Sequence, residues 1–152
     1  MNDALNPFVT AVDHVGIAVP DLDEAIAFYR DVLGLELTHV ETNEGQGVRE
    51  AMMRPPGDDG TGTAVQLLAP LAPDTTIGKF LDRRGPGVQQ VAVRVTDIEA
   101  ATDALRAKGL RVVFEDPQPG TENSLTNFVH PKDAGGVLIE LVEPASEQAR
   151  RR

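Results

Sequence analysis

From Asp13 onward apolar and polar positions alternate. Val15, Ile17 and Val19 fall on one side and His14, Gly16 and Ala18 on the other, the period of a half-buried strand. The pattern then lengthens into a helix of about three turns, which Asp21 caps and Gly34 stops, with Glu24 placed to complete a capping box with Asp21. The whole passage recurs when QQVAVRVTDIEAATDALRAKGLRV, from Gln89, is laid under DHVGIAVPDLDEAIAFYRDVLGLEL, from Asp13. His14 falls on Gln90, the three aliphatic positions fall on Val91, Val93 and Val95, Asp21 falls on Asp97, and after one deletion Gly34 falls on Gly109. An internal repeat therefore organises the chain.

The two copies also end alike, VQLLAP from Val65 matching IELVEP from Ile139. Between helix and closing strand each has room for two more strands, broken by the turn-rich stretches RPPGDDGTG (Arg54 to Gly62) and HPKDAGG (His130 to Gly136). Each module reads β-α-β-β-β. The fold class is α+β: two tandem βαβββ modules form one curved mixed sheet around a central cleft, because neither module can bury a sheet face alone. The expected boundaries are 8–71 for the first module, 72–87 for a connector that is partly helical around Ile77 to Leu81, and 88–146 for the second module. Residues 147–152 read as a basic, disordered tail.

Alternation also assigns faces. Val65 and Leu67, and Ile139 and Leu141, take the helix side of the closing strands, which turns Gln66 and Glu140 to the side of His14 and Gln90. Four polar side chains at repeat-related positions thus point into one concavity. Imidazole, amide and carboxylate beside small neighbours make a divalent metal site of the kind open to a chain with no cysteine, which excludes thiolate zinc sites and cysteine nucleophiles. A single such His or Gln, taken alone, reads first as an ordinary satisfied polar residue, and it is the coincidence of four at repeat-related positions that points to a site.

Charge and length narrow the function further. Lys and Arg number 14 against 24 Asp and Glu, a net charge of −10, which argues against nucleic acid as a partner. No apolar run approaches the roughly 20 residues that cross a bilayer, and no basic start leads a hydrophobic stretch at the N-terminus. The expectation is a soluble, unexported, cytoplasmic protein.

In GVREAMM, Val48, Glu50 and Met52 share one face of a strand. Glu50 is either a solvated strand residue or a half-desolvated carboxylate suited to act as a general base. The polar loop before it, with Asn43, Glu44, Gln46 and Gly47, stands at the cleft mouth. His130 either binds ligand or begins a turn, and His39 reads as strand surface.

DHVGIAVPDLDEAIAFYRDVLG, NEGQGVREAM and HPKDAGGVLIELVEP together resemble the methylmalonyl-CoA epimerases of the vicinal oxygen chelate superfamily, from about Val12 to Pro144. The opening strand and helix fit any member of that superfamily, glyoxalase I and extradiol dioxygenases included, whereas the other two segments are more specific. The resemblance implies interconversion of (R)- and (S)-methylmalonyl-CoA through an enolate. It implies metal ligands at His14, Gln66, Glu140 and Gln90 for a divalent ion such as Co2+, Mn2+, Ni2+ or Zn2+, a catalytic base at Glu50, and Glu140 as a second candidate acting on the opposite face. Substrate contacts are expected at Gln46, His130 and Lys132, Lys79, Arg83 and Arg84 are either further sources of positive charge for the CoA or ordinary solvated residues, and the assembly is expected to be a homodimer.

One position departs from the family. Gln89-Gln90 stands where many epimerases carry His-His, so the fourth donor is an amide oxygen, which shifts preference toward harder ions. Two other readings share the scaffold. A glyoxalase I-like lyase would favour two His and two carboxylates where this chain has one of each, and a non-catalytic binding module would need no metal.

Overall fold

The computed structural model describes residues 4–150. The described residues divide into two units, one spanning residues 14–89 and the other made of residues 4–13 and 90–150.

Strand β1 (Val9–Ala18), whose second half from His14 belongs to the His14–Gln89 unit, leads there into helix α1 (Leu22–Asp31), followed by β2 (Glu36–Asn43), β3 (Val48–Arg54), β4 (Ala64–Pro70) and helix α2 (Thr76–Arg84). The strands lie in the order β2-β3-β4-β1, with β1 parallel to β4 and the other pairs antiparallel. Helix α1 starts where Asp21 accepts a hydrogen bond from the Glu24 amide at 3.0 Å, the side-chain half of the expected capping box. Just past the helix, Gly34 takes a φ of 75°, and Gly109 repeats this at 84° in the second unit. Side chains avoid that conformation, so glycine marks both stops. Helix α1 buries Leu22 and Ile26 against Val19, Leu67, Ala51 and Met53, each large side chain contributing about 1.5–3 kcal/mol.

Helix α2 extends the connector helix beyond the expected Ile77 to Leu81. Thr75 caps it by accepting from the Gly78 amide at 3.1 Å, and Ile77, Phe80 and Leu81 cover Ala18, Val48 and Leu68. One end of the sheet face opposite α1 is therefore closed by apolar packing.

The second unit contains β5 (Gly87–Val95), α3 (Ile98–Ala107), β6 (Gln118–Pro119), β7 (Leu125–Val129), β8 (Leu138–Glu143) and α4 (Ala145–Arg150). Its strand order is β5-β8-β7-β6, again with one parallel pair, β5 with β8. Asp97 caps α3 through the Ala100 amide at 3.1 Å, and Ile98, Ala101 and Leu105 pack on Val95, Val129 and Leu141. Leu5 and Phe8 join this cluster, and Arg94 Nε donates to Asp13 Oδ1 at 2.7 Å, which binds the chain's start to this unit.

The repeat is imperfect where it would supply a counterpart of β2. Residues 110–117 carry only an isolated bridge, Val112 to Val129. The fully buried Asn127 amide instead donates to the Phe114 carbonyl at 2.9 Å and accepts from its N–H at 3.0 Å. Pro117 and Pro119 offer no N–H to a ladder.

The expected disordered tail needs correction. Residues 147–150 are helical: the Glu147 and Gln148 amides donate to the Pro144 carbonyl at 3.0 and 3.3 Å, and Gln148 Nε2 reaches the Glu143 carbonyl at 3.3 Å. Those bonds anchor α4 to the end of β8, while residues 151–152 lie outside the described residues. Among the described residues no helix is long and apolar enough to cross a membrane.

Candidate functional site

Three of the expected residues share one face of the first unit. Alternation places His14 of β1 and Gln66 of β4 on the side away from α1, and the register sets Gly16 beside Gln66 and Ala64 beside His14, so the two polar side chains lie on a diagonal of adjacent strands. Met52 of β3 stands directly opposite Gln66, and Glu50 lies two residues along the same face. That diagonal lets Gln66 Nε2 donate to Glu50 Oε2 at 3.0 Å. Glu50 is 2% exposed, so the solvated alternative for this carboxylate is set aside.

The second unit builds a related arrangement. Ala92 pairs with Glu140 and Gln90 with Leu138, which puts Gln90 and Glu140 on the equivalent diagonal of β5 and β8. Gln90 Nε2 donates to Glu140 Oε2 at 2.6 Å. His14, Gln66, Gln90 and Glu140 are all buried. Burying a carboxylate is costly unless a donor meets it, and each unit meets the cost with a glutamine amide.

Each unit taken by itself offers donors of the kind a divalent ion accepts. With each amide nitrogen turned to a carboxylate, the amide oxygen is left as a hard donor, beside the His14 imidazole in one unit and beside the Glu140 carboxylate in the other. Among the described residues no group of three or more His, Cys, Asp or Glu is set to hold a metal ion.

The expected substrate contacts lie on loops. His130 begins the short 3-10 turn Pro131–Asp133, its Nδ1 accepting from the Lys132 amide at 3.2 Å. That bond engages Nδ1 in the turn. Lys132 is exposed, and Gln46 is half-buried with its amide donating to Asn43 Oδ1 at 3.1 Å. Lys79, Arg83 and Arg84 are exposed on α2, where the Arg84 guanidinium lies 5.8 Å from the centre of the Phe80 ring. His39 is partly exposed and 3.5 Å from Glu41.

Two buried residues that hold this frame were missed in the sequence. Glu143 is fully buried and accepts from the Ile98 amide at 3.1 Å, fixing the start of α3 to the strand that carries Glu140. Its signal was legible: Glu143 continues the apolar side Ile139, Leu141 of β8, where a carboxylate needs a donor. Asn127 gave no comparable signal, since its partners are backbone groups of an irregular segment.

Known proteins resemble this chain over most of its length. The sequence family described as the Glyoxalase/Bleomycin resistance protein/Dioxygenase superfamily matches residues 13–128. The crystal structure of methylmalonyl-CoA epimerase from Mycobacterium tuberculosis is 56% identical, with 93% of each chain covered and a TM-score of 0.87. A Streptomyces coelicolor methylmalonyl-CoA epimerase in complex with 2-nitronate-propionyl-CoA is 43% identical, covering 90% of this chain and 99% of that one, with a TM-score of 0.86. The mitochondrial methylmalonyl-CoA epimerase of Mus musculus is 37% identical over 131 residues, 86% of this chain and 71% of its own length. The fold is theirs, which bears out the paired-module α+β architecture read from the repeat.

Proposed function

We propose, from the premise that this chain belongs to the Glyoxalase/Bleomycin resistance protein/Dioxygenase superfamily, that it is an isomerase interconverting (R)- and (S)-methylmalonyl-CoA. The observation that carries this reading is the buried Glu50 carboxylate, held by the Gln66 amide at 3.0 Å, in a chain 56% identical to a methylmalonyl-CoA epimerase of known structure. Inverting a carbon by proton transfer needs one group to take a proton and another to return it on the opposite side.

In this mechanism Glu50 takes the proton from the carbon between thioester and carboxylate. The Gln66 N–H holds one oxygen of Glu50 and leaves the other to meet the substrate, which fixes its direction. Glu140, oriented by Gln90, is protonated at the start of this direction and gives its proton to the carbon on the other face, so that Glu50 ends protonated and Glu140 ionised, and the reverse direction exchanges the two roles. The divalent ion implied by the resemblance belongs to this proposal, with His14, Gln66, Gln90 and Glu140 as its ligands. When bound, it supplies Lewis-acid polarisation of the thioester and carboxylate oxygens. Burial of these side chains keeps water from the reacting carbon and strengthens every charge interaction there.

Gln46, His130 and Lys132 are proposed to contact the substrate from their loops. The homodimer implied by the resemblance, and a cytoplasmic setting consistent with a cysteine-free chain, complete the reading. A single isomer of methylmalonyl-CoA incubated with the purified protein tests it. The expected result is conversion of the single isomer to a mixture of the two epimers, followed by a stereospecific coupled assay, and an unchanged isomer with every divalent ion supplied would refute it.

A further inference from the structure

The structure assigns to Met52 the role of setting which α-substituent the enzyme accepts, an inference that rests on the epimerase reading above. Met52 and Met53 are neighbours in β3 with opposite surroundings. Both are buried, at 3% and 0% exposure, but only Met53 packs in the core beneath α1, while Met52 belongs to none of the three apolar clusters. It lies on the face of Glu50, directly opposite Gln66.

The chemistry of the substrate gives that placement a meaning. A carbon whose proton Glu50 removes must lie within reach of the Glu50 carboxylate. Of its three other substituents, the thioester and carboxylate need polar partners, and the alkyl group needs an apolar one. Two residues flank Glu50 on its own face of β3, Val48 and Met52. Val48 is engaged with Ala18, Leu68 and Ile77 beneath α2. Met52 is the other apolar side chain beside the base, buried opposite Gln66, and its unbranched thioether adapts to what it packs against. It bounds the space for the alkyl group, and its bulk limits that group to a size near methyl.

The test compares methylmalonyl-CoA with ethylmalonyl-CoA, which carries one more methylene, by α-proton exchange in deuterium oxide with wild type, Met52→Ala and Met52→Leu. One methylene in an apolar pocket is worth about 10- to 200-fold in kcat/KM. Met52→Ala is expected to raise the ethyl-to-methyl ratio of kcat/KM by about tenfold, and Met52→Leu, which conserves volume, to keep the wild-type ratio. An unchanged ratio in Met52→Ala overturns the assignment, as does a shift of the same size in Met52→Leu. Should Met52→Ala not fold, Met52→Val carries the same expectation at reduced size. Wild type that exchanges neither ester refutes the epimerase reading itself; an active wild type whose ratio is indifferent to residue 52 refutes the role of Met52 alone.

Discussion

Gln90 donates its amide to Glu140 at 2.6 Å, joining the residue that departs from the family pattern to the carboxylate at the repeat-equivalent position of Gln66. An amide serves this position differently from an imidazole. Its nitrogen holds Glu140, and in the proposed ligand set its oxygen would be the atom offered to an ion, so one side chain would orient one donor and supply another.

Replacing Gln90 therefore has two separable effects. Gln90→Leu leaves a buried carboxylate without this donor, and it is expected to lower stability by about 2 kcal/mol, measured by urea denaturation. Gln90→His supplies an imidazole, which favours later transition metals over hard ions. Calorimetric titration with Co2+ and Mn2+ is expected to show the preference moving toward Co2+. An unchanged preference would remove Gln90 from the ligand set.

Glu50→Gln keeps the size and hydrogen-bonding capacity of the side chain and removes its basicity. Loss of a positioned general base is expected to cost about 10²- to 10⁴-fold in turnover, with thermal stability close to wild type. Turnover near wild type in a folded Glu50→Gln protein would contradict the role given to Glu50.

Glu143 tests the frame and not the chemistry. It is fully buried and holds the Ile98 amide at the first turn of α3. Glu143→Ala is expected to destabilise by about 2–3 kcal/mol, through an orphaned helix N–H and a cavity. Urea denaturation measures it, and a loss below about 0.5 kcal/mol, the level of an ordinary surface change, would contradict this account.

A pH test addresses the second unit's turn. Hydrogen bonds from the Arg111 guanidinium and from its backbone N–H hold the Asp133 carboxyl at about 2. The folded value lies below the ordinary carboxylate value of about 3.9. The contribution is therefore present above about pH 4 and is lost as pH falls toward 2. The stability difference between wild type and Asp133→Asn is expected to shrink between pH 5 and pH 2, and to shrink further in high salt because Arg111 is exposed. A difference independent of pH would contradict the pairing.

Much of this molecule was legible because strand alternation and the repeat constrain each other. Val19 and Leu67 pack beneath α1 and Leu141 beneath α3 as their parity requires, and Asp21, Asp97, Gly34 and Gly109 begin and stop the helices. Parity also put Gln66, Glu50, Gln90 and Glu140 on the faces where their hydrogen bonds form. What sequence could not supply was depth. Whether Glu50 is solvated depends on what covers its face, and the cover α2 gives to Val48 and Leu68 is a tertiary fact. Segment 110–117 failed to follow the repeat because Asn127 replaces a ladder with side-chain bonds. Residues 147–150 misled because charge alone suggested a solvated tail, while bonds to Pro144 and Glu143 make a helix.

The most direct test of the central claim follows deuterium at the α-carbon of methylmalonyl-CoA in deuterium oxide by NMR, using wild type with and without a chelator and Glu50→Gln. Exchange that is rapid in wild type, falls with chelator, returns on adding a divalent ion and is reduced at least about 100-fold in Glu50→Gln is the predicted result. No exchange above background with any ion, or equal exchange in Glu50→Gln, would contradict it.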